Sequence, residues 1–115
     1  CDLRVASGEA VFSFPQVESG LIPGWGGTQR LARMIGPTRA SEMILTGRTV
    51  RGPEALSIGL VNNIVPVGEL DGAVMELAGK LASRDRAALL AAKKAINVAL
   101  ARGLDVETRE LSGLF

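Results

Sequence analysis

The chain has 115 residues, with 13 Lys and Arg against 12 Asp and Glu and a net charge of +1. That is one small domain or a piece of a larger one, with no basic block to hold nucleic acid. One Trp, no Tyr and three Phe give no platform for stacking bases, and no apolar run is long enough to span a bilayer.

Apolar residues make up 47% of the chain and lean on Ala, Leu and Val, which reads as globular and mainly helical. The first residues lack the charged-then-apolar pattern of a signal peptide. Cys1 is the single cysteine, so no disulfide closes within the chain. This fits a reducing, cytoplasmic setting. There is no histidine. A Ser-His-Asp triad, a Cys-His pair and a His-ligated metal site are therefore excluded from this chain alone. Carboxylates, backbone N–H groups, amides and hydroxyls remain for chemistry.

In chain order, "LRVAS" and "AVFSF" read as strands joined through Ser7-Gly8-Glu9, with Gly8 free to take a positive φ. Residues 20–27 hold four glycines and a proline and form a loop. Thr28 is placed to cap a helix running to about Ile35, which Gly36-Pro37 stops. Thr38 is placed to cap the next helix, with Ala40, Met43 and Ile44 on its inner face and Gly47 as its stop. "RTV" is a short extended piece. "GPEALSIG" is a short helix with Pro53 in its first turn and Gly59 past its end. "LVNNIVP" is a strand ended by Pro66. Two longer helices follow. One covers residues 69–83 with Leu70, Val74, Leu77, Ala78 and Leu81 on one side. The other covers residues 86–101 with Leu89, Leu90, Ala92, Ile96 and Leu100. A last helical piece starts near Asp105. "CDLRVAS" reads as a strand already under way and "VETRELSGLF" as a helix cut short, so both ends are expected to be cuts in a longer protein.

Gly24, Gly26 and Gly27 stand directly before a helix. There they allow close backbone approach to a ligand, and the helix start offers free N–H groups. The spacing is neither G-x-G-x-x-G nor G-x-x-x-x-G-K-[ST], so it does not indicate a nucleotide loop. A tight structural turn is the commoner meaning of such a corner. Trp25 inside it either lines a pocket or pins the loop to the core. Glu18 near this corner is a general acid or base if partly desolvated, and an ordinary solvated carboxylate otherwise. Gln16 cannot transfer a proton, but its amide can orient a water or a substrate carbonyl. Lys93 and Lys94 read as a solvated helix flank. Asp2 reads as a local cap or ion-pair partner.

The strings "GLIPGWGGTQRL" and "EALSIGLVNNIVP", with "CDLRVAS" and "FSFPQVES" before them, closely resemble the enoyl-CoA hydratase/isomerase, or crotonase, superfamily. The resemblance runs without a gap from Cys1 to about Pro66 and continues more weakly beyond. It implies an α/β fold, part of a ββα spiral followed by C-terminal helices. Residues 1–66 would be the C-terminal part of the spiral core, and residues 67–115 an incomplete helical region of the kind that assembles trimers. It further implies an acyl-CoA thioester substrate, no metal or redox cofactor, and a homotrimer or dimer of trimers in the full-length protein. Two backbone N–H groups would stabilise a thioester enolate. Pro23, Gly24, Trp25, Gly26 and Gly27 would face the substrate as one wall of its pocket.

Hydratases of this family use two glutamates, one just before the "CD" strand and one after the proline of "F-x-x-P-E". The first glutamate and the N–H pair fall upstream of Cys1. Pro15 matches the proline, so Gln16 takes the place of the second glutamate. If the segment is extended, Glu18 points to the same side as Gln16 and is a candidate replacement. Otherwise the protein is an isomerase, decarboxylase or thioester hydrolase of the family, or a silent assembly subunit. On any of these readings the 115 residues alone are expected to be inactive.

Overall fold

A computed structural model describes residues 1–101, and the side chains of residues 1–98. The helical piece expected near Asp105 and the side chain of Leu100 lie outside these residues.

The first strand, β1 (Val5–Ser7), does not pair with the second, β2 (Val11–Phe12). Instead β1 lies parallel to β4 (Asn63–Val65), with Val5 opposite Asn63, Ala6 opposite Ile64 and Ser7 opposite Val65. The second strand runs antiparallel to β3 (Val50–Arg51), with Val11 opposite Arg51 and Phe12 opposite Val50. The expected turn at Ser7-Gly8-Glu9 is thus a crossing between two sheets, and Gly8 does not adopt a positive φ. Its N–H donates to the Val65 carbonyl at 2.9 Å, and the Ala10 N–H returns to the Ser7 carbonyl at 3.0 Å. The glycine this corner requires is Gly52. A Cβ there would stand 3.0 Å from the Gly8 carbonyl oxygen and 3.2 Å from that of Ser7, inside backbone that cannot give way. Arg4 staples the β1–β4 pair: its N–H donates to Asn62 Oδ1 at 2.8 Å and its Nε to the Leu60 carbonyl at 2.6 Å.

Helix α1 (Gly27–Ile35) and helix α2 (Pro37–Thr46) pack on each other through Leu31 and Ile35 on one and Ala40, Met43 and Ile44 on the other. Those spacings put the apolar residues on one face of each helix. The caps differ from the expected threonines. Gly26, in the left-handed region at φ 83, precedes α1, so Thr28 falls inside its first turn. Gly36 precedes α2 and Pro37 takes its first position, one residue ahead of Thr38. Pro suits that position because its missing N–H would have no partner there anyway. Gly47 ends α2 at φ 69, as the sequence predicts, and donates to the Met43 carbonyl. Helix α3 (Gly52–Ser57) carries Pro53 in its first turn, and Gly59 follows at φ 85.

Met43, Val50 and Ala55 sit at the centre, each no more than 1% exposed, joined by Leu31, Ile35, Ala40, Leu60 and Val61. Burial of a side chain the size of Met or Val contributes about 1.5–3 kcal/mol. Helix α4 (Leu70–Ala82) lies against β1 with Leu70, Ala73 and Leu77 half-buried, while Val74 and Leu81 of its expected inner face are exposed. Helix α5 (Arg86–Ala101) starts at Asp85, whose carboxylate accepts from the Ala88 N–H at 2.9 Å. Every side chain from 86 to 98 is exposed, Leu89, Leu90, Ile96 and Val98 included. Lys93, expected to be a solvated flank, pairs with Asp2 at 2.9 Å and ties α5 to the N-terminus.

Candidate functional site

The segment after β2 is not extended. Pro15 fixes the first φ of a 3-10 turn, Pro15–Ser19, and Gly20 closes it in the left-handed region at φ 75. The Leu21 N–H then donates to the Gln16 carbonyl at 3.0 Å. At three residues per turn, side chains two apart diverge by a third of a revolution. Gln16 and Glu18 therefore do not share a side through strand alternation.

Gln16 is half-buried, and its Oε1 is fully buried with no hydrogen-bond partner among the described residues. Glu18 is exposed, and its carboxylate lies across Gly47 at the end of α2. A Cβ on Gly47 would stand 3.0 Å from Glu18 Oε1. The two side chains the sequence grouped together thus have different surroundings.

The glycine-rich turn divides in a similar way. Pro23 is less than 2% exposed, so its ring belongs to the core rather than to an open wall. Gly27 faces Pro23 and Phe14: a Cβ there would lie 3.1 Å from Pro23 Cβ and 3.2 Å from Phe14 Cε1. Its missing side chain makes room for packing, not for a ligand on that face. Gly24 and Gly26 are half-buried. Trp25 is 97% exposed, so it does not pin the loop to the core. It holds φ 58, a conformation rare for a bulky residue, and its carbonyl accepts from Arg30 Nη1 at 2.8 Å. Exposure and backbone strain meet at one aromatic beside the turn.

Sequence reasoning passed over a second cluster, Glu42, Arg48 and Glu54. Arg48 donates from Nη1 to Glu54 Oε1 at 3.0 Å and from Nη2 to Oε2, a forked pair across β3. Its Nε contacts Glu42 Oε1 as an ion pair but outside hydrogen-bond geometry. The arginine holds Glu54 below the usual carboxylate range, chiefly through the hydrogen bond, and Glu54 in turn raises Arg48. With Arg39, Met43 and Ile58 these residues line a cleft of about 170 Å³. Its charges balance, which suits a brace between α2 and α3 better than an ion site. The available signal was an arginine opening the short "RTV" piece with a glutamate six residues to either side.

Among the described residues no group of three His, Cys, Asp or Glu is placed to hold a metal, and no helix is long and apolar enough to cross a membrane.

The sequence profile described as enoyl-CoA hydratase/isomerase matches residues 1–112. The chain belongs to the enoyl-CoA hydratase/isomerase family. It is 43% identical over 110 residues to a short-chain-enoyl-CoA hydratase of Clostridium acetobutylicum, covering 94% of this chain and 41% of that protein. A short-chain-enoyl-CoA hydratase of Clostridioides difficile is 40% identical over 112 residues, with 94% and 72% covered. Among solved structures, an enoyl-CoA hydratase of Bacillus anthracis matches with a TM-score of 0.84 at 40% identity, over 95% of this chain and 42% of that one. An enoyl-CoA hydratase of Mycobacterium paratuberculosis matches with a TM-score of 0.90 at 31% identity, over 98% and 53%. The α/β crotonase fold that the resemblance implied is the fold of these relatives. The chain spans less than half the length of two of them, those of Clostridium acetobutylicum and Bacillus anthracis.

Proposed function

We propose that these residues form one wall of an acyl-CoA pocket in an enoyl-CoA hydratase/isomerase-family enzyme, and that Gln16 is the polar group this wall presents. The observation that carries the reading is the buried Oε1 of Gln16, which has no partner among the described residues, in the turn whose Gln16 carbonyl accepts from Leu21 as the glycine-rich loop begins. A buried acceptor without a donor costs about 1–3 kcal/mol. A ligand or a bound water that donates to it recovers that cost. The amide can accept and donate hydrogen bonds but cannot release a proton, so Gln16 orients a water or a thioester carbonyl and does not act as a general acid. No metal or redox cofactor takes part. The enolate-stabilising N–H pair and the first glutamate of the family have no counterpart in this sequence. The complete protein would supply them, working as a trimer or dimer of trimers in the cytoplasm.

Trp25, flanked by the half-buried Gly24 and Gly26, forms the exposed rim of this wall, while Pro23 and Gly27 support it from behind. Glu18 is exposed and its carboxylate lies over Gly47, so on this reading it is not the proton donor. The deciding assay is water addition to a short enoyl-CoA by the full-length protein. Hydration lost on Gln16→Ala supports the reading. Hydration indifferent to residue 16 removes it.

A second reading follows from the same residue. With an amide where hydratases carry a carboxylate, this reading makes the protein an isomerase, a decarboxylase or a thioester hydrolase, or a silent assembly subunit. Tight acyl-CoA binding without hydration would favour it.

A further inference from the structure

The turn that carries Gln16 is held at both ends by side chains seated on glycines. At its start, Phe14 reaches α1, where a Cβ on Gly27 would stand 3.2 Å from Phe14 Cε1 and 3.1 Å from Pro23 Cβ. At its end, Glu18 reaches α2, where a Cβ on Gly47 would stand 3.0 Å from Glu18 Oε1 and 3.4 Å from its Cγ and Cδ. The two glycines sit at opposite kinds of helix end, the first residue of α1 and the C-cap of α2. Between the seats, Val17 packs against the core and Gln16 buries its amide oxygen.

We propose that Gly27 and Gly47 are paired positioning residues. Each keeps open a seat for one end of residues 14–18, and together they set the depth at which Gln16 presents its amide. The backbone at Gly47 needs glycine for two reasons, its φ of 69 and the seated carboxylate. Gly27 lies outside the left-handed region, so its backbone accepts any residue and its seat is the whole reason for glycine. Helix propensity alone favours Ala over Gly at such a position. The seat predicts the opposite sign.

The functional weight of this clamp rests on the proposed role of Gln16, but its test does not. In the 115-residue chain, the side-chain NH₂ resonances of Gln16 report its position directly by nitrogen-edited NMR. Gly27→Ala is expected to shift them and to lower Tm, and both effects are expected to be largely lost when Phe14→Leu is added. Glu18→Ala, a change at an exposed residue that leaves the core intact, is expected to shift them from the other end. Glu18→Gln, which keeps the shape, is expected to leave them in place. Unmoved Gln16 resonances in both Gly27→Ala and Glu18→Ala, or a rise in Tm with Gly27→Ala, would overturn the clamp. Failure of butyryl-CoA to bind the full-length protein would overturn the acyl-CoA reading and leave the clamp standing.

Discussion

At the scale of single residues, Gln16 and Glu18 show how two neighbours with similar side chains divide their work. Gln16 has a buried acceptor with no partner among the described residues, so replacing it with an apolar residue of similar length removes a cost. Gln16→Met should leave stability unchanged or raise it by about 1–3 kcal/mol, measured by denaturant unfolding. The same substitution should abolish ligand-dependent activity of the complete enzyme. On the proposed reading, Gln16→Glu supplies a carboxyl group at the position of the family glutamate, and positioned acid–base groups contribute roughly 10²–10⁴-fold. Hydration of a short enoyl-CoA by the full-length variant should rise accordingly, and an unchanged rate would show that residue 16 does not face the reacting atoms. Glu18→Gln should leave turnover nearly as it was, because the contact with Gly47 depends on shape rather than charge. Loss of turnover in that variant would return Glu18 to the chemistry.

Among the elements, Arg48 links Glu42 of α2 to Glu54 of α3 across β3. The arginine lowers the Glu54 pKa, so the contribution of this pair is fully present above the ordinary carboxylate value of about 4.3 and is lost as pH falls through the lower folded value. Tm should therefore drop as pH falls below about 4 in the native chain. Glu54→Gln should lower Tm at neutral pH and flatten that acid limb. A limb of unchanged slope would show that other carboxylates dominate it. The elements also differ in how legible they were. The helices α1 to α4 and the described residues of α5 could be read from apolar periodicity and from the Gly and Pro residues that punctuate them. The caps misled because Thr28 and Thr38 were weighed as side-chain acceptors, while Gly26 and Gly36 supply backbone conformations that threonine avoids. Strand pairing was not legible. Strands of two or three residues carry no register signal, and β1 meets β4 across about half the chain. The 3-10 turn was missed although Pro15 starts it and Gly20 ends it, because the aromatic run before it reads as strand. As for the proposed site, motif alone singles out the glycine-rich corner and Gln16. The seats on Gly27 and Gly47 depend on contacts between distant segments that no local pattern encodes.

The whole molecule has a compact centre around Met43 and Val50 and two helices that bury little. Met43→Ala should cost about 2–5 kcal/mol. By contrast, Met75 is 69% exposed, Leu90 56%, Ile96 60% and Val98 55%, large apolar side chains that the described residues leave uncovered. The strands add Leu3 and Val11, at 42% and 55%. The isolated chain should self-associate in sedimentation and bind apolar dyes, and Leu90→Glu with Ile96→Lys should shift it toward monomer without lowering Tm. A strictly monomeric native chain that binds no dye would show that these side chains find cover within one copy.

Trp25 is the single tryptophan, there is no tyrosine, and the indole is already in water. Intrinsic emission from the folded chain should therefore resemble that of the denatured one, and unfolding should pass almost unseen in a fluorometer. Far-ultraviolet circular dichroism, which reads the helices instead, is the probe that will register the transition. The same indole is left as a nearly background-free reporter of anything that comes to cover the turn, since a blue shift at constant protein concentration has only one residue from which to arise.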